Sequence, residues 1–565
     1  MKLKALGLTA LAVAAAALVA ACGGGGGDGA AAAQSDVQLS GVAATGLALA
    51  SAPVEVKCAS GTGTATTDAA GTYTVTVANG ALPCIVKVTG TAADGTTVTL
   101  HSLAQGTGST AVANVTPLTE MILARAVGTL PADLFANFGT GTAVTAEAVA
   151  HASTDILTAL GTAANVDLSG IDPFKTSLVA ATTANPTGGN DYDKLLDQLG
   201  TVVSAATLPQ VVSQIASTTG SGAPTTLNEV VANVSKGTLA GCPQALSGKY
   251  RVIDYLGFAA TVDFDFTAGA ETAKPEGGAA INLVLNPSQN CEFKINDTVN
   301  SVETTVVIGP AGAGATVDDA RIGYIFPAQS HNMAAIQGDW EFMESGIVES
   351  NLGEHFVGKF SIAANGAATV CDYNVMSNDF STCEVDTSES AAFQEHAGGY
   401  FVLNYGTQAS PVYAFRAPSG DLTLFGANNP EDLSAPGSFR TSVVMTRPQK
   451  SPRPAQGSTS RFWDFTQRYF AASQPATSNG ALSTEASANS ITNTTVTDTS
   501  VTRTRSSDGR VDTWQLDQPI PGLRFRAAAG TLDASYQRFI PGTGMAMYID
   551  GMGGKHFAGV SVNRP

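Results

Sequence analysis

Seven cysteines, six histidines and a few paired carboxylates are the side chains of this 565-residue sequence that could do chemistry. Six of the cysteines are Cys58, Cys84, Cys242, Cys291, Cys371 and Cys383. None forms a CxxC pair and the histidines are scattered, so no thiolate–imidazole metal site is spelled out, and no metal or cofactor is expected. An even set of cysteines in an exported chain points to disulfides. Sequence neighbours should share a module, which gives Cys58–Cys84, Cys242–Cys291 and Cys371–Cys383 as the expected pairs. Glu341 and Glu344 stand beside Trp340, as glycosidase carboxylates stand beside aromatics. In a strand, however, positions three apart face opposite ways. Asp68 suits a turn, and Asn190–Asp193 lacks the spacing of a calcium loop and suits a first helical turn. His151 has Asp155 four residues on in an Ala-rich helix, which reads as a local pair. There is no G-x-S-x-G elbow, H-E-x-x-H pair or Walker loop. No histidine has a spacing that pairs it with a nucleophile, so alanine at His331, His355, His396 or His556 is expected to leave function intact. The chain therefore reads as non-catalytic.

Cys22 stands apart from the others. Lys2 and Lys4 precede an apolar run, Leu6–Ala20, that is short for a bilayer span of about 20 residues. Residues 1–21 therefore read as a signal peptide. The stretch Val19-Ala20-Ala21-Cys22 resembles the lipobox of bacterial lipoproteins. That resemblance implies that the Cys22 thiol carries a diacylglycerol and becomes the acylated N-terminus. The chain's first partner would then be a membrane, reached through this lipid. Two or more acyl chains hold a protein firmly, at about 0.8 kcal/mol per buried CH₂. Gly23 follows the cysteine where the family often has an inner-membrane aspartate, which implies the outer membrane. The Gly-rich residues 22–36 would be a flexible tether.

These features must be carried by the rest of the chain. Its length suits three or four domains of about 150 residues. Only 13% of residues are charged, about half the usual share, and the net charge is −18. Nucleic acid needs clustered Lys and Arg, so it is excluded as a partner.

Residues 37–115 alternate like strands; in "TYTVTV" Tyr73, Val75 and Val77 share one face. The order G-V-x-x-x-G, V-x-V, T-T-D-x-x-G-x-Y resembles the carboxypeptidase regulatory-like (transthyretin-like) β-sandwich. The likeness implies seven strands and no catalytic residues. Residues 116–216 shift to helical spacing, with Thr116 as N-cap and Pro117 in the first turn. Residues 217–241 read as a linker. Residues 242–446 are β-rich, in one or two modules, and residues 447–461 form a Pro-rich basic linker before a C-terminal β module at 462–565. Gly338-Asp339-Trp340 resembles the G-x-W opening of lipocalin-like barrels, which implies a structural Trp340 at a barrel floor. "HFVG" at His355 and "HFAG" at His556 hint at a repeated module.

The fold class expected is multidomain and mainly β: an Ig-like or transthyretin-like sandwich, a small helical domain, then antiparallel barrels or sandwiches. The function expected is binding or scaffolding at the cell envelope, with an unidentified envelope partner. Carriage of a small apolar ligand in a lipocalin-like barrel is the alternative, and an enzyme of unrecognised type the second alternative.

Overall fold

The structure, a computed structural model, describes residues 36–140, 144–220, 222–298, 301–348, 352–375, 379–385, 387, 389–429, 440–469, 482–530, 533–550 and 557–565. The signal, Cys22, nearly all of the tether and His556 lie outside the described residues. The chain is multidomain and mainly β, as expected.

Strand alternation builds the N-terminal part. Tyr73, Val75 and Val77 of Thr72–Val77 are buried while the intervening threonines are exposed. That strand joins Val37–Val42 and Thr110–Val112 in one sheet. Thr62–Thr66, Pro53–Ser60, Ala81–Thr91 and Thr97–Ala104 form the second. Asp68 is a turn residue: its Oδ1 accepts from the N–H groups of Ala70 and Thr72 at 2.8 and 2.9 Å. The helices that follow share one apolar core with the sheets. Pro117–Val127 starts as its sequence dictates, with Thr116 as cap and Pro117 in the first turn. Ala146–Ala164, Asp191–Gly200 and Leu208–Ala216 match the helical spacing. The stretch 217–241, which reads as a linker, holds a further helix, Leu227–Ser235. Thr226 and Glu229 form a capping box there, a T-x-x-E signal that outweighs the Gly/Ser/Thr-rich approach.

The remainder is three closed, eight-stranded antiparallel barrels. The first runs from Gly248–Asp254 to Ile322–Pro327. The second runs from Gly338–Val348 to Arg440–Thr446, its ring closed by pairing of the first and last strands. Asp379–Val385 is an extra strand hung on Ala367–Asn374. The third runs from Thr459–Arg468 to Phe557–Asn563. The region 242–446 thus holds two modules. "HFVG" lies in the second strand of the second barrel and "HFAG" leads into the last strand of the third, so the likeness does not join equivalent positions.

The barrels pack by their outer walls. Phe326 of the first stacks on Phe425 of the second, ring centres 4.4 Å apart. Tyr255 Oη of the first donates to Gly559 O of the third at 2.9 Å. Glu341 of the second meets Arg538 of the third at 2.8 Å, both buried. All three walls contribute to one continuous apolar core.

Trp340 is fully buried inside the second barrel. Its Nε1–H donates to Ile336 O at 2.7 Å, and Arg447 lies over its ring at 3.9 Å. Ile336 comes from the short helix Met333–Ile336, which packs into the same cluster. Trp340→Ala should cost about 3–5 kcal/mol as a core truncation. Chemical denaturation of the full chain measures this, and a change under 1 kcal/mol would contradict the packing role.

Candidate functional site

The three disulfides are the expected ones. Cys58 and Cys84 are direct cross-strand partners. Cys242–Cys291 ties the strand Cys242–Leu246, ahead of the first barrel, to the start of the barrel strand Glu292–Asp297, and Cys371–Cys383 links neighbouring strands of the second. Among the described residues, no three metal-capable side chains cluster.

The densest gathering of charge lies inside the third barrel. Its origin is period-two alternation. In "VTRTR", Val501, Arg503 and Arg505 point one way and the threonines the other. In "LRFR" the same rule groups Arg524 with Arg526, and in "VDTWQL" it groups Asp512, Trp514 and Leu516, which are buried while their neighbours are exposed. Pairing sets Arg503 opposite Asp512. Closure of the barrel then turns these faces inward around a cavity of about 600 Å³. Arg468, Arg503, Arg505, Arg510 and Arg526 line it, against Asp464, Glu485 and Asp533.

Asp512 is the internal counter-ion. Its carboxylate lies 2.7 Å from Arg503, 3.2 Å from Arg510 and 3.7 Å from Arg526. Burial would raise its pKa, but the three guanidinium groups outweigh burial and hold it below the ordinary value. Arg526 is pushed down by burial, which Asp512 only partly offsets. Arg524, beneath, is lowered to about 9 by burial and by the neighbouring Arg503. Arg503 and Arg526 sit 5.0 and 5.3 Å from the centre of the Trp514 ring. At the rim Arg468 grips Glu485 with two hydrogen bonds, 2.7 and 3.2 Å. The Nε–H groups of Arg510 and Arg526 are buried without a partner. Such donors are costly unless something accepts from them. Guanidinium forks match planar or tetrahedral oxyanions, so the chemistry this lumen offers is anion recognition.

Sequence reasoning missed this cluster. Two R-x-R repeats in an acidic chain were the available signal.

The second barrel has a different lumen, about 130 Å³, walled by Phe342, Phe356, Phe360, Leu403 and Val412. Glu344 and Asp372 are its carboxylates. Glu341 and Glu344 do face opposite ways: Glu341 turns out to Arg538, Glu344 turns inward and accepts from Thr441. They form no catalytic pair. Burial pushes Glu344 up to about 7, and Asp372 adds to the rise.

One arrangement corrects an expectation. Ser345 Oγ lies 3.0 Å from His355 Nδ1, and His355 Nε2 lies 2.8 Å from Asp550. A histidine does therefore meet a serine. Hairpin register brings them opposite each other, which spacing alone did not reveal. The side chains of His355 and Asp550 are only 2% and 0% exposed, and Ser345 also touches Tyr469 Oη at 3.0 Å. The set is buried between the second and third barrels. Of the other expected histidines and acids, those the structure describes take local roles. His331 is half-buried, desolvation pushes its pKa down to about 3, and it contacts Gln329. His396 stacks on Tyr400. His151 faces Glu147 rather than Asp155, which Arg125 takes. Asn190 caps its helix by accepting from Asp193 N–H.

No family model matches the chain, and no curated protein matches it. Among solved structures, it is similar to the crystal structure of a protein with unknown function from the DUF3598 family of Nostoc punctiforme. The identity is 10%, over 40% of this chain and 95% of that one, with a TM-score of 0.16. A likeness at that score carries no argument about this protein.

The raised Glu344 pKa fixes a sign. Its protonated form is favoured in the fold, so the stabilisation is complete below the ordinary 4.5 and lost as pH rises through about 7. Denaturation midpoints followed across that window should show the decline. Glu344→Gln should flatten it; an unchanged slope would assign the decline to another group.

Proposed function

We propose that this chain is a non-catalytic, lipid-anchored protein of the bacterial outer membrane that holds a small anionic ligand in its third barrel. The observation that carries the ligand class is the convergence of five arginines on one lumen within a chain of net charge −18. Five arginines against Asp464, Glu485, Asp512 and Asp533 leave the lumen one charge positive in a negative protein, which favours anions over the bulk surface. The anchor rests on Cys22 and its lipobox resemblance. On this reading the glycines after Cys22 hold the folded part clear of the headgroups.

The two halves of the proposal are tested separately. Cys22→Ser should release the protein from membranes and abolish palmitate labelling. Continued labelling of that variant would refute the anchor. For the ligand class, calorimetric titration of the full chain with citrate and with inorganic phosphate should give dissociation constants of about 1 mM or tighter. Putrescine, a cation, should not compete. Arg510→Gln and Arg526→Gln should each weaken anion binding about tenfold, roughly 1.4 kcal/mol, with melting behaviour retained. Absence of binding to both anions, or equal binding by the variants, would defeat the ligand class.

A second reading has its own observation. The second barrel keeps an apolar lumen above Trp340, which favours carriage of a small apolar ligand there.

A further inference from the structure

The second lumen is not simply greasy. Its walls are aromatic and aliphatic, yet two carboxylates, Glu344 and Asp372, face into it with Tyr405, Gln408 and Asn428. Among the described residues that line it there is no lysine, arginine or histidine. The first strand explains the geometry. Trp340, Phe342 and Glu344 alternate along one inner face, so the apolar depth and the carboxylate lie on one line. Phe356 is the cross-strand partner of Glu344, which places a ring beside the acid. Val443 is its partner on the other side. Gly358, between Phe342 and Asp372, carries no side chain; a Cβ there would meet the Phe342 ring at 2.6 Å. Glu344 accepts from the Thr441 hydroxyl, and a carboxylate in apolar surroundings is costly without a cation beside it. Rings beside it add a favourable face for an ammonium group.

We infer that the second lumen is a site for a small primary ammonium ion with an apolar body about the size of one aromatic ring. The inference rests on the second reading above, that this lumen takes a ligand. A closed cavity of about 150 Å³ holds benzene; this one is smaller, about 130 Å³, but open to one side, so a ring would fill it and the ammonium group would sit at its open side. The ring would lie against Phe342, Phe356 and Phe360, and the ammonium would donate to Glu344. The high pKa of Glu344 is consistent with a carboxyl that lacks such a partner.

Three isosteric probes separate the terms: benzylamine, benzyl alcohol and benzoate, titrated calorimetrically into the full chain. Benzylamine should bind at least about tenfold tighter than benzyl alcohol, and benzoate should be excluded. Glu344→Gln should bring benzylamine down to the affinity of the alcohol and leave the alcohol unchanged. If neither benzylamine nor the alcohol binds, the carrier reading itself falls. If both bind wild type equally, or if benzylamine binding survives Glu344→Gln, the carrier reading stands and the cation inference falls. Should Glu344→Gln fail to melt cooperatively, Phe356→Trp supplies the check. The larger ring should fill the lumen and abolish benzylamine binding, and retained binding would overturn the assignment.

Discussion

Burial of the barrels' outer walls against one another is the constraint on which the rest of this structure depends. A small closed barrel standing alone must use its lumen as its core. Here the walls between barrels supply a second core. Tyr324 and Phe326 of the first, Phe415 and Phe425 of the second, and Trp463, Phe465 and Tyr536 of the third are buried in it together. Each of these faces carries apolar residues at period two, and the partner faces are then free to differ. The third barrel uses that freedom to line its interior with charge, the second to keep an apolar one.

Buried polar pairs set the barrels in register within this apolar seam. Glu341–Arg538 and His355–Asp550 both bridge the second and third barrels and both are buried. Buried pairs recover little net stability over apolar residues of similar shape, because desolvation cancels much of the attraction. They penalise misplacement heavily, because a displaced barrel would strand a buried polar or charged group. Gln467 works the same way with neutral groups: it accepts from Ile322 N–H and donates to Ala320 O, tying the third barrel to the first. The apolar wall supplies adhesion, and these polar contacts select one docking.

Legibility in the sequence followed the range of the interaction. Strand alternation at Thr72–Val77, the cap at Thr116 and the turn at Asp68 are local, and all were readable. The disulfides were readable because each closes within one module. Trp340 was readable as a buried structural residue from its G-x-W setting. What could not be read depends on closure and docking. "VTRTR" and "LRFR" look like ordinary amphipathic strands; only ring closure decides that their charged faces meet across a lumen rather than face water. Ser345 and His355 are ten positions apart, and their contact rests on hairpin register. The helix Leu227–Ser235 was legible in its T-x-x-E box but was masked by the loop-like composition before it.

The difference between the second and third lumens shows how one topology acquires two chemistries. Both barrels run up and down through eight strands, and both turn one face of each strand inward. In the second, the inward face of the first strand reads Trp340, Phe342, Glu344; in the third it reads Phe462, Asp464, Thr466, Arg468. Changing the lumen requires changing alternate residues only, and the intervening ones keep the wall that docks. In the third barrel Trp463 and Phe465 hold the wall while Asp464 and Thr466 line the cavity. Period two thus separates adhesion from recognition residue by residue along a single strand. A chain of several such barrels can then diversify its cavities without loosening its assembly.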